Sequence, residues 1–128
     1  MLVDDDEIFT YIIMKIIEES KLAEQINIFP NGREAMDFLT EIADNEALLP
    51  KVIFLDLNMP YLDGWGFLDE YIRLKPKLCK KINLYVITSS ISPFDYEKSK
   101  KYSDITDFII KPLAKEKFIE IIKKISNN

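Results

Sequence analysis

Carboxylates crowd the opening of this 128-residue chain, where MLVDDDEIF sets Asp4, Asp5, Asp6 and Glu7 directly behind three apolar residues. Like charges this close repel, so a reason is needed for all four. An Asp can cap the free N–H groups of a helix, and acids favour the positive end of its dipole. That accounts for one or two of them; a bound cation would neutralise the rest. Elsewhere, groups with chemical potential stand at the ends of apolar runs: Asp56 closes VIFLD, Thr88 and Ser89 close NLYVITS, and Lys111 follows DFII. The chain has no histidine, which excludes Ser-His-Asp and Cys-His nucleophilic sites, histidine zinc sites and a phosphohistidine of its own. Cys79 is the only cysteine, so there is no intrachain disulfide and no cysteine-rich metal site, and a reducing, cytoplasmic setting is expected. Any proton or phosphoryl chemistry must therefore run on carboxylates, hydroxyls, lysines and hard, oxygen-ligated metals.

The elements that position these groups follow from hydrophobic period. Short β-rich stretches at 25–29, 52–57, 83–88 and 107–110, with MLV as a stub of another, suit strands covered on both faces. Between them, Ile8, Ile12 and Ile16, joined by Phe9, Ile13 and Ile17, predict one broad apolar helix face. Ala35, Leu39 and Ile42 mark a second helix. Phe67, Leu68, Tyr71 and Ile72 mark a third, ending before Pro76, and Phe118, Ile121, Ile122 and Ile125 mark the last. Residues 92–103 carry few apolar positions and are expected to form a marginal, exposed helix opened by Pro93. The alternation predicts a single α/β domain over residues 1–128, a doubly wound, flavodoxin-like (βα)5 fold with a five-stranded parallel sheet in order 2-1-3-4-5. No apolar run reaches membrane-spanning length, and a net charge of −5 argues against direct nucleic-acid binding. The lysines of the last third are expected on the solvated faces of two late helices.

In such folds ligands sit beyond the carboxyl ends of the strands, where strand order reverses. Asp4 and Asp5 would follow the first strand, Asp56 the third, Thr88 with Ser89 the fourth and Lys111 the fifth. The three aspartates would then share one crevice, and they cannot all stay ionised there without a cation. Mg²⁺ fits, since it accepts one or two carboxylates and keeps waters for a phosphoryl group. A carboxylate nucleophile, a metal, a lysine and a hydroxyl are what phosphoryl transfer onto an aspartate requires. Each residue also has a plain structural use: Asp56 as a turn cap, Lys111 as an ordinary strand-end lysine, Thr88, Ser89 and Ser90 as loop residues or caps. Singly those uses suffice for Thr88 and Lys111; a rim of mutually useful groups makes coincidence the poorer account.

Over essentially its whole length the chain resembles the response-regulator receiver domain, the phosphoacceptor half of two-component signalling. The resemblance rests on LVDDDE, FLDLNMPYLDGWGFL, VITSS and FIIKPL in that order and spacing. It implies phosphorylation of Asp56 by a histidine kinase or histidine phosphotransfer protein. It implies Mg²⁺, or Mn²⁺ in its place, held by Asp4, Asp5, Asp56 and the Asn58 backbone carbonyl. Thr88 would hydrogen-bond the phosphoryl group, Lys111 would pair with it, and the Lys111–Pro112 peptide would be cis. Phe108 would be the aromatic switch residue, although a core role in DFII serves it equally well. Asn58, Ser89 and Ser90 would modulate phosphoryl lifetime. The output face would lie within residues 92–125 and contact a downstream protein; whether it also dimerises the sequence leaves open. The only catalysis implied is transfer to Asp56 and slow hydrolysis, from a single receiver with no fused DNA-binding or enzymatic output.

Two features depart from the family pattern. Only three residues precede Asp4, so either the chain starts late or the first strand is stunted, and residues 39–51 make a long link, enough for an extra helical turn or a contact surface. Among alternatives, flavin mononucleotide binders of the same fold class need a Ser/Thr/Gly-rich phosphate loop where this chain has four acids. Haloacid dehalogenase-like phosphatases put their nucleophile on the first strand and an acid two residues on, where Asn58 stands here. The rival that survives is a receiver-like module that binds a partner without being phosphorylated.

Overall fold

Apolar side chains alternate between the two faces of the sheet along most of its strands, and that alternation builds the molecule. The computed structural model describes residues 1–21, 23 and 26–126. Strands β1 (Leu2–Val3), β2 (Ile28–Phe29), β3 (Val52–Leu55), β4 (Asn83–Thr88) and β5 (Ile105–Ile110) form one parallel sheet in order β2-β1-β3-β4-β5. Helices α1 (Glu7–Ser20), α2 (Gly32–Ile42), α3 (Gly64–Leu74), α4 (Pro93–Ser99) and α5 (Lys115–Ser126) connect and follow them. Leu2, Phe54, Tyr85 and Ile87 face α1 and α5, meeting Ile13, Ile16, Ile17, Phe118 and Ile121 in one core. Their neighbours Val3, Ile53, Leu55, Leu84 and Val86 point the other way, onto Ala35, Met36, Leu39, Phe67, Leu68 and Tyr71 of α2 and α3. The fold class and strand order are those expected from the sequence.

The boundaries are set by local chemistry. Asp6 caps α1 by accepting from the N–H groups of Ile8 and Phe9, Asn31 caps α2 through Glu34 N, and Asp63 caps α3 through Gly66 N. Helix α3 stops at Leu74, and Pro76 sits in the 3-10 turn Lys75–Lys77 that follows. Helix α4 has Pro93 in its first turn and no side-chain cap bond, and its Phe94 and Tyr96 are exposed, in keeping with the marginal helix expected for 92–103.

Several expectations need correction. The apolar face expected on α1 is split: Ile13, Ile16 and Ile17 are buried, whereas Ile8 and Ile12 are 74% and 49% exposed beside an exposed Tyr11. With α5 the only other helix in that layer among the described residues, the covered stripe is narrower than the apolar one. Strand pairing in the 25–29 stretch is limited to Ile28–Phe29, and Gln25 lies outside the described residues. Strand β3 ends at Leu55, before Asp56, while β5 begins two residues earlier than expected, at Ile105. Strand β1 is two residues long, yet both pair on either side, Leu2 with Ile28 and Phe54, Val3 with Phe29 and Leu55. The long link after α2 turns through hydrogen bonds from Leu48 N and Leu49 N to Asn45 O and tucks Leu49 into the core.

Candidate functional site

Strand register brings the chemistry-bearing residues to one edge. Val3 pairs with Leu55, Leu55 with Val86, and Thr88 with Ile110, so Asp4, Asp56, Thr88 and Lys111 all stand at or just past the carboxyl ends. Backbone bonds continue beyond the strands to fix them. Asp4 N donates to Phe29 O at 3.0 Å, Asp56 N to Val3 O at 2.9 Å and Lys111 N to Thr88 O at 2.7 Å. Gly64, at the start of α3, is tied to the same edge, since a Cβ there would lie 2.5 Å from Asp56 O and 2.8 Å from Leu57 Cα. Only glycine permits that close approach.

One carboxylate oxygen from each of Asp4, Asp5 and Asp56 lies within 4.8 Å of the others. Asp4 and Asp56 are buried and Asp5 is exposed. Asp56 Oδ1 accepts from Leu57 N at 2.8 Å, and Asp4 Oδ1 from Asp6 N at 2.9 Å. The Lys111 ammonium stands 2.9 Å from Asp4 Oδ2, 3.7 Å from Asp6 Oδ2 and 3.9 Å from Asp56 Oδ2. Its contact with Asp4 is a close ion pair, and Lys111 is the one protein partner of that buried oxygen among the described residues. Burial pushes the Asp4 carboxyl up to about 6, and the Asp56 charge adds to this against the opposing Asp6 N–H and Lys111. Three convergent carboxylates, two of them buried, make an all-oxygen donor set that fits a small hard divalent cation and suits no softer metal.

The other residues singled out from the sequence lie around this cluster. Thr88 is fully buried, and its Oγ1 accepts from Ser90 N at 3.1 Å. Ser90 Oγ donates to Asp95 of α4, so the loop after β4 is tied to the following helix. Asn58 and Ser89 are exposed on the loops after β3 and β4. The Lys111–Pro112 peptide is cis. Phe108 is half-buried against the α2–α3 core, with the Tyr96 ring edge-on at 5.6 Å.

Two contacts were not foreseen. The Phe9 ring lies 4.3 Å from Lys111 Nζ, a cation–π contact, and Asp6 adds its carboxylate from the same first turn of α1. Periodicity assigned Phe9 to the helix's apolar face and could not reveal a neighbour a hundred residues away. The DDDE run did hold the signal for Asp6, but capping and charge pairing there look alike in sequence.

Comparison with known proteins gives a consistent picture. The family model described as "Response regulator receiver domain" matches residues 1–123. The chain is 29% identical over 126 residues to the probable methanogenesis regulatory protein FilR2 of Methanothrix harundinacea, covering 98% of this chain and 79% of that one. It is 30% identical over 118 residues to a protein-glutamate methylesterase/protein-glutamine glutaminase of Treponema pallidum, covering 91% of this chain but spanning only 27% of that protein. Among solved structures, a two-component response regulator from Cytophaga hutchinsonii superposes with a TM-score of 0.82 at 26% identity, covering 99% of this chain and 95% of that one. The Mn(2+)-bound form of the response regulator Rcp1, a protein known from Synechocystis, superposes with a TM-score of 0.73 at 27% identity, covering 98% and 87%.

Proposed function

The chain belongs to the response regulator receiver domain family, and from that membership we propose that it accepts a phosphoryl group on Asp56 within a two-component phosphorelay. The observation that carries this reading is the meeting of Asp4, Asp5, Asp56 and Lys111 in one cluster at the strand ends. Asp56 is the nucleophile: its carboxylate attacks phosphorus, an Asp–phosphate bond forms, and the donor's P–N bond breaks as the histidine side chain leaves. Asp4, Asp5, Asp56 and the Asn58 carbonyl would hold Mg²⁺ or Mn²⁺, which when bound neutralises charge on the phosphoryl group. A Mn(2+)-bound form of the similar Rcp1 supports that cofactor class. Lys111 shifts its ammonium from the aspartates to the arriving phosphoryl oxygens, with the Phe9 ring keeping it at the rim. Thr88, whose hydroxyl oxygen accepts from Ser90 N, donates its proton to a phosphoryl oxygen. Phe108 follows Thr88 as the switch aromatic, and Asn58, Ser89 and Ser90 border the path of the hydrolytic water.

The donor is a histidine kinase or phosphotransfer protein, since the chain has no histidine of its own. Exposed Ile8, Tyr11 and Ile12 on α1, beginning four residues after Asp4, offer an apolar surface for it. Output passes to a downstream protein through the 92–125 face, where Phe94, Tyr96 and Ile110 are exposed. No described helix is long and apolar enough to cross a membrane, and the reading places the protein in the cytoplasm. Incubation with acetyl phosphate and Mg²⁺ tests the proposal. Intact mass should rise by one phosphoryl group, and the gain should vanish with EDTA and in Asp56→Asn. A wild-type chain that gains nothing is instead a binding module.

A further inference from the structure

A cavity of about 500 Å³ lies at the opposite end of the sheet, between the residues leading into β4 and those leading into β5. That volume is in the range of small-molecule sites. Tyr71 reaches it from the core: the residue is 2% exposed, lines the cavity and stacks its ring on Phe67, while its hydroxyl makes no hydrogen bond among the described residues. The hydroxyl is therefore free to donate to a molecule in the cavity. Burial, with the nearby Asp104 charge, pushes the Tyr71 phenol up to about 12, so at neutral pH it is protonated and can donate to an acceptor.

The surrounding charge says what the acceptor is. Lys75, Lys80 and Lys81 line the cavity against the single carboxylate of Asp104, which Lys75 already engages. Lys80 is half-buried, and neither it nor Lys81 has an ion-pair partner among the described residues. A cationic hollow in a chain of net charge −5 is a local arrangement that global composition opposes. The cations are lysines, compact point charges with rotatable donors, and no arginine fork is present to favour a planar carboxylate. The concavity and the overall negative charge both disfavour a nucleic-acid backbone.

We propose that this cavity binds a small phosphorylated metabolite, with its phosphoryl oxygens accepting hydrogen bonds from Lys80, Lys81 and the Tyr71 hydroxyl. The site is separate from the Asp56 cluster and does not depend on its chemistry. Occupancy joins the turn after α3 to the start of β5, giving the molecule an input besides Asp56.

Cys79 is the chain's only cysteine, is exposed and lines this cavity, so its alkylation reports occupancy. A bound anion covers the thiol and shields it from the reagent. The full chain is treated with iodoacetamide in EDTA, which keeps the acidic rim from recruiting anions through a metal, and pyrophosphate is the probe. Pyrophosphate should slow alkylation saturably, and sodium chloride at matched ionic strength should not. The half-protecting concentration should rise about fivefold in both Tyr71→Phe and Lys80→Gln, as expected for one lost hydrogen bond of about 1 kcal/mol. The proposal is overturned if protection does not saturate, if chloride matches it, or if a folded variant is protected at the wild-type concentration. Lys80→Gln alters a side chain outside the core, and decides the matter alone should Tyr71→Phe not fold.

Discussion

Asp4 and Asp6 stand two positions apart and do different work. Asp6 spends one oxygen capping α1 and turns the other toward Lys111, whereas Asp4 is buried with one oxygen on Asp6 N and the other against the Lys111 ammonium. Because burial raises the Asp4 carboxyl from its ordinary value near 3.8 to about 6, the folded chain holds that proton more tightly than the unfolded chain. Ionised Asp4 therefore costs stability above pH about 6, and the cost fades as pH falls toward 4. In EDTA, Asp4→Asn should melt a few degrees higher than wild type at pH 7.5, with the gain shrinking through pH 6 and gone by pH 4. Calorimetry across that range checks it, and a lower melting temperature for the variant at pH 7.5 would contradict the assignment. In sequence the strand end put Asp4 and Asp5 at the rim but gave Asp6 no definite role, because a capping carboxylate and one paired with a distant lysine look alike there.

At the scale of elements, α1 shows what a periodic pattern can and cannot tell. Its apolar stripe marks a helix and the side that packs, so Ile13, Ile16 and Ile17 were legible. How much of the stripe is covered depends on the neighbouring helix, and α5 leaves Ile8, Tyr11 and Ile12 in water. If the proposed donor docks there, Ile12→Lys should label with acetyl phosphate at the wild-type rate yet accept phosphoryl groups from a phosphohistidine protein several-fold more slowly, through loss of apolar contact. Equal slowing with both donors would point to damage at Asp56 instead. Strand limits were less legible than helix limits. Caps and prolines punctuate helices locally, whereas a strand ends where its neighbour does, and β5 starts at Ile105 because Leu84 of β4 is there to pair with it.

Across the whole molecule, a strand of only two residues joins the edge of the sheet to its centre. Leu2 and Val3 are almost fully buried, each facing a different core, and bridge β2 to β3. Leu2→Ala should therefore cost about 2–5 kcal/mol and lower the denaturant midpoint in one cooperative transition with an unchanged slope. A loss below 1 kcal/mol would mean that β1 is dispensable to the sheet. Fold class and strand order were readable from alternating periods and handedness, and the rim followed from them. The cation–π contact on Lys111 and the cavity under Tyr71 were not, because both arise from residues brought together only by the finished packing. The register that aligns Val3, Leu55, Val86 and Phe108 carries a further consequence. A strand lengthened or shortened by one residue would turn its terminal side chain from the crevice to the opposite layer. Helix surfaces can drift in composition with little effect on the rim, but the residue count of each strand is part of the reaction's specification.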